Sequence, residues 1–124
     1  MNMEPIKGVV ETHVKGWGKE IWVTNNELYC GKLLKFNKGA EFSMHYHIKK
    51  EETWAVIKGK LLLKYYDLSN AEEKEMILQL GDTVHLKPCI PHKLVAIEES
   101  SVFEVSTQHF EEDSYRVQKG DSQK

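Results

Sequence analysis

The sequence predicts an all-β domain, and three observations carry that prediction. Short segments of alternating apolar and polar residues, rich in β-formers, fill most of the chain. Turn-forming residues separate them at close intervals. Apart from one possible helical turn at 70–74, nothing reads as helix. Many short strands punctuated by turns describe a sandwich or a closed barrel, with a jelly-roll β-barrel the natural candidate.

Taken in order, the first strand is expected at 20–24, around Ile21, Trp22 and Val23, and it ends at Asn25-Asn26. The second spans 28–36 and stops at Asn37-Lys38-Gly39; the third, 41–47, carries alternating polar residues up to His47. Strands at 53–58 and 60–66 flank Lys58-Gly59, which reads as a tight hairpin turn. The run from Asp67 to Asn70 separates these from a strand at 75–80, and Gly81-Asp82 leads into 83–86. A corner from Pro88 to Pro91 precedes strands at 93–97 and 101–107. With no repeat or Pro/Gly-rich linker, the chain reads as one domain over residues 1–117 and a loose polar tail over 118–124.

Bulk properties narrow the function. A chain of 124 residues supports a single core. A net charge of −2, with Arg116 as the only arginine, gives no basis for a nucleic-acid or anionic-membrane partner. No run approaches the roughly 20 apolar residues of a membrane span, and residues 1–7 lack the apolar stretch of a secretory signal, so a cytoplasmic location is expected. Cys30 and Cys89 lie far apart and outside any CxxC pattern, which reads as two free thiols.

The histidines are more informative. His45 and His47 are two apart on an expected strand, so both side chains leave the same face, about 7 Å apart. From there both imidazoles can converge on one cation at about 2.0–2.2 Å. Glu52 opens the next strand after a short connection, and an antiparallel return brings its carboxylate beside the histidines. It shares parity with Trp54 and Val56, which should point inward, whereas Glu51 has the opposite parity. A fourth ligand must come from a distant strand, and His92 stands in Pro91-His92-Lys93-Leu94.

These residues resemble a known family. Gly39, His45, His47, Glu52 and Gly59 match the spacing of the first cupin motif at every fixed position. Gly81, Pro88 and His92 resemble the second motif, with Lys87 where a proline is usual, Cys89 for a glycine and Ala96 for an asparagine. None of these departures falls on a ligand position. The resemblance implies a cupin jelly-roll (a double-stranded β-helix) holding one divalent metal ion with His45, His47, Glu52 and His92. Such donors suit Zn, Fe, Mn, Ni or Co and leave about two positions open on a six-coordinate ion.

Around this set, Glu41 and Ser43 share strand and parity with the histidines. Glu41 then either faces the interior, where desolvation raises its pKa toward a general base's range, or sits solvated at the rim. Lys87, Lys93 and Arg116 are candidate anion binders or members of a solvated face. Tyr46 should pack outside the pocket; His85 reads as a sheet residue before a fifth ligand, and His109 as a possible cover. Cys89 lies in the corner leading to His92. Trp17, Trp22 and Trp54 most simply supply core area, with sugar stacking by Trp17 the alternative.

The chain also resembles the cupin module of type II mannose-6-phosphate isomerases from about His13 to Val117. Gly16 to Glu20, Glu52 to Gly59, Pro91 to Leu94, Glu104 to Ser106 and Glu112 to Arg116 carry that likeness. It implies isomerisation or epimerisation of a sugar phosphate through a metal-stabilised enediolate, with Glu41 as the base and Lys93 or Arg116 holding the phosphate. The rival readings are an iron-dependent dioxygenase, favoured by an apolar pocket, and a non-enzymatic metal- or sugar-binding module. Small cupins often pair through edge strands, so a homodimer is expected.

Overall fold

Alternation along the strands becomes two antiparallel sheets that face each other. The computed structural model of the chain describes residues 3–124. Its strands are β1 (Glu11–Lys15), β2 (Gly18–Asn25), β3 (Cys30–Phe36), β4 (Met44–Tyr46), β5 (Glu52–Lys58), β6 (Lys60–Asp67), β7 (Glu72–Gln79), β8 (Thr83–Leu86), β9 (His92–Ala96), β10 (Ser100–Ser106) and β11 (Tyr115–Gln118). The larger sheet has the order β1-β2-β3-β10-β5-β8, and the smaller one β11-β4-β9-β6-β7. This jelly-roll order makes residues distant in sequence into neighbours. No helix among the described residues is long and apolar enough to cross a membrane.

The interior divides along the strand axes. In the larger sheet Val102 lies opposite Leu34 and Val56, while one step along, Glu104 lies opposite Lys32 and Trp54. In the smaller sheet Leu61 faces Ala96 and Leu63 faces Leu94, then Tyr65 faces His92. Leu34, Val56, Val102, Leu61, Leu63, Leu94 and Ala96 join Phe36, Phe42 and Trp54 in one buried apolar cluster. The barrel is thus oily at one end and charged at the other. Burying each large apolar side chain contributes about 1.5–3 kcal/mol, and that apolar half supports the polar end.

Several expected elements change. The strand expected at 41–47 shrinks to β4, with Glu41 keeping only an isolated bridge to Val95. Its N–H is diverted to the Asp121 carboxylate at 2.8 Å. The possible helix at 70–74 is absent: Ala71 takes φ 59° in a turn, and β7 starts at Glu72. Strands β1 and β11 lay outside the expected set.

Residues 118–124 are bound rather than loose. Gly120 is buried against the backbone of Phe42 and Ser43, Asp121 N–H donates to the Glu41 carbonyl, and Ser122 Oγ accepts the Gly16 N–H. A polar composition suits a tail that docks through its backbone and short side chains as well as one that does not dock. Composition therefore could not distinguish the two.

Candidate metal centre

Three strands and one loop build the site. β4 supplies His45, and the chain just beyond it His47. β9 runs antiparallel beside β4 and places His92 directly opposite His45. Glu52 opens β5 on the facing sheet. The ligand atoms of His45, His47 and His92 all lie within 4.8 Å of one another. Glu52 Oε2 stands 3.6 Å from His47 Nε2 and 3.9 Å from His92 Nε2.

The second ring nitrogen fixes what each histidine offers. His45 Nδ1 lies 2.7 Å from the Ser43 carbonyl, His47 Nδ1 2.7 Å from the Asp113 carbonyl, and His92 Nδ1 2.8 Å from the Ile90 carbonyl. A carbonyl oxygen only accepts, so each Nδ1 carries the proton and each Nε2 keeps a lone pair. Carbonyl-anchored imidazoles with free Nε2 atoms are the usual outer arrangement of a metal-binding histidine. On Glu52, Oε1 accepts Trp54 Nε1–H at 2.7 Å, leaving Oε2 toward the rings.

Electrostatics agree with cation binding. Burial, then the neighbouring histidines, pushes His45 well below its ordinary value. Burial lowers His47 and takes His92 down to about 3. Burial and the adjacent Glu104 push Glu52 up to about 8. Three neutral imidazoles and a carboxyl that resists ionisation in the absence of a counter-charge are what a divalent cation stabilises most. The residues fit such an ion.

A cavity of about 250 Å³ opens from these side chains. Its wall includes His109, the possible cover, together with Lys32, Lys50, Glu104 and Glu20, a charged lining that sequence reading missed. Lys50 Nζ donates to Glu104 Oε2 at 2.7 Å, and both side chains are buried. Although burial raises Glu104, Lys50 and Lys32 outweigh it and hold the carboxyl below its usual range. A signal for two of these residues was available. Lys32 shares parity with Leu34 and Phe36, and Glu104 with Val102, so both charges sit on core-facing positions.

Asp113 was also missed. Its carboxylate accepts the N–H groups of Ile48, Lys49 and Lys50 at 2.9–3.1 Å, while its carbonyl holds His47. It lies in a single 3-10 turn, Glu111–Asp113, where no periodicity marks it.

Other expectations are displaced. Glu41 does not reach the cavity: Glu41 Oε1 pairs with Lys93 Nζ at 3.0 Å, and neither residue lines the wall. The reason is the break in alternation before β4, where Phe42 and Ser43 both turn to the cavity. Arg116 does line it, on β11 opposite His45. His85 is exposed and paired with Glu51 at 2.6 Å; Tyr46 stacks on Tyr115 away from the cavity. His109 and Trp17 contribute to the wall. Lys87 and Cys89 are exposed, and Cys89 adopts φ 74°, the left-handed conformation for which glycine is the usual residue.

Solved structures share the fold at low identity. Capsular polysaccharide assembling protein CapF from Staphylococcus aureus matches with TM-score 0.75 and 14% identity over 90% of this chain and 33% of its own. Oxalate decarboxylase from Bacillus subtilis matches with TM-score 0.77 and 15% identity over 94% and 34%. A formate complex of Lactobacillus farciminis oxalate decarboxylase gives 0.77 and 17% over 94% and 38%. The chain therefore spans about a third of each of these structures. No curated protein matches by sequence. The family model described as "Cupin domain" matches residues 32–107, the stretch that holds all three histidines and Glu52. The chain belongs to the cupin family.

Proposed function

We propose that this cupin is a metal-dependent isomerase or epimerase of a small phosphorylated sugar. The observation that carries the metal part is the convergence of three carbonyl-anchored imidazoles, with Glu52 Oε2 beside two of them. His45, His47, Glu52 and His92 would hold the ion. Once bound, a divalent ion supplies Lewis-acid polarisation of a substrate carbonyl and its neighbouring hydroxyl. The charged wall favours a polar, oxygen-rich substrate over the apolar ones expected of a dioxygenase.

Proton transfer, first expected of Glu41, falls to groups that line the cavity. Glu104, Lys50, His109 and Glu111 form a series with separations of 2.7, 3.5 and 3.4 Å. It starts beside Glu52 and ends at Glu111, whose side chain is 81% exposed. Lys50, which Glu104 and Glu52 hold above its ordinary value despite burial, stays charged and keeps Glu104 ionised. Glu104 is therefore the group that takes the proton during exchange between adjacent carbons, with His109 and Glu111 between it and solvent. The position of Arg116 on β11, opposite His45 on β4 and lining the cavity, supports a role in receiving the phosphate. One fold neighbour is named for capsular polysaccharide assembly, which also concerns sugars. Exposed Val14 on edge strand β1, with exposed Val10 just before it and Val23 on the neighbouring β2, supports pairing as a homodimer.

The test is a panel of sugar phosphates followed by NMR in deuterated water, with Zn, Mn, Fe, Co and Ni supplied separately. Interconversion with solvent deuterium at the exchanging carbon is expected. His109→Gln should slow it while leaving metal content intact. Oxygen consumption with Fe(II), or metal binding without turnover of any sugar phosphate, overturns the reading.

A further inference from the structure

Two lysines share the charged end of the barrel, and they are partnered differently. Lys50 is satisfied by Glu104 at 2.7 Å. Lys32 is 2% exposed, yet its nearest carboxylate oxygen, Glu20 Oε1, lies 3.7 Å away, too far for a good hydrogen bond. That same oxygen already accepts Trp22 Nε1–H at 2.8 Å. The Lys32 ammonium instead rests over the Trp22 ring, 4.0 Å from its centroid, and lines the cavity. Burying an ammonium is unfavourable unless charge and hydrogen bonds offset it. A cation–π contact offsets part of this and uses no N–H.

The backbone leaves Lys32 no easy escape. It sits in mid-strand on β3 between β2 and β10, opposite Trp22 and Glu104. Four basic residues (Lys15, Lys32, Lys50, Arg116) and four acidic ones (Glu20, Glu52, Glu104, Glu111) line the cavity. These balance formally, so the placing and partnering of each charge decide where an anion can sit. Of the two buried cavity cations, Lys32 is the one without a hydrogen-bonded acceptor, and it is deep rather than at the mouth.

We infer that Lys32, cradled by Trp22 and Glu20, is an interior anion subsite that binds the oxyanion group (carboxylate or phosphate) of the cavity's ligand. The inference rests on the cavity as the ligand site and on none of the metal's properties. It narrows the substrate class to small acids. At about 250 Å³ the cavity falls just below the usual range for ligand pockets. That volume suits a small acid better than a nucleotide or an oligosaccharide. For a sugar phosphate this assigns the phosphate to Lys32 inside the barrel and leaves the exposed Arg116 to steer it in.

The experiment is calorimetric titration of malonate, inorganic phosphate and uncharged malonamide into metal-free and Co(II)-loaded protein. At least one anion should bind in one or both forms, and malonamide should not. Lys32→Met should weaken that anion at least tenfold. Glu20→Gln keeps an acceptor for Trp22 but removes the competing charge, so it should tighten the anion severalfold, an effect misfolding cannot imitate. If Lys32→Met does not fold, Glu20→Gln alone decides. Failure of both anions to bind wild type, equal binding of malonamide, or unchanged affinity in either folded variant overturns the inference. Loss of Co(II) binding with a Lys32-dependent anion site intact would refute the metal reading and leave this one standing.

Discussion

Asp113 offers the sharpest test of how the centre is held. Its buried carboxylate accepts three backbone N–H groups from the loop after His47, and its carbonyl accepts the His47 Nδ1–H. Replacing it with alanine strands three donors and frees the 3-10 turn that presents the carbonyl. At about 1 kcal/mol for each net hydrogen bond, the expected loss is about 3 kcal/mol. For a domain of this size that lowers Tm by roughly 10 °C. Because the same residue orients His47, metal affinity should fall by about 10- to 100-fold. Asp113→Asn keeps one acceptor oxygen and should lie between. Urea denaturation with EDTA present isolates the stability effect, and competition with a chromophoric chelator reads the affinity. An Asp113→Ala protein within about 0.5 kcal/mol of wild type, the range of an ordinary surface change, would refute the latch. A large stability loss with unchanged metal affinity would refute its link to His47.

Three further outcomes follow from the geometry. Lys50→Met leaves Glu104 ionised and buried without its partner, so a loss of about 3–5 kcal/mol is expected in urea denaturation, largely recovered in Lys50→Met/Glu104→Leu. Gly120→Ala places a methyl group against the backbone of Phe42 and Ser43, so faster hydrogen exchange is expected across 118–124 and at Glu41. In metal-free protein the depressed histidine values make acid destabilising. His92 binds its proton only near pH 3 when folded but near 6.5 when unfolded, so stability falls as pH drops through that window, by up to about 1.4 kcal/mol per pH unit for this group. Glu52, raised to about 8, acts in the opposite direction above about pH 4.5. The net slope in thermal melts between pH 7 and 4 therefore comes from the lowered histidines together, and a stability that rises toward pH 4 would contradict it.

Much of the centre was legible because its signal is local. His45 and His47 share a face through the two-residue period of a strand, and Glu52 follows within one turn. His92 was legible only through its motif, since nothing in 92–96 tells which strand it will meet. Glu41 shows where the local rule fails. Two-residue periodicity holds only while a strand persists, and the diversion of its N–H to Asp121 ends the strand before Met44. The partner that ends it lies 80 positions away.

Alternation and turn chemistry within the sequence by themselves determined an all-β chain with two imidazoles side by side at the end of one strand. Backbone geometry converts those nearest-neighbour patterns directly into faces and hairpins. Only the tertiary structure decided that Lys32, Lys50 and Glu104 would share the barrel's charged end, that Asp113 would anchor the loop behind His47, and that Glu41 would turn away toward Lys93. Each depends on pairings across the sheets between residues remote in sequence. Charge pairing and desolvation act through distance in space, which no periodicity along the chain records.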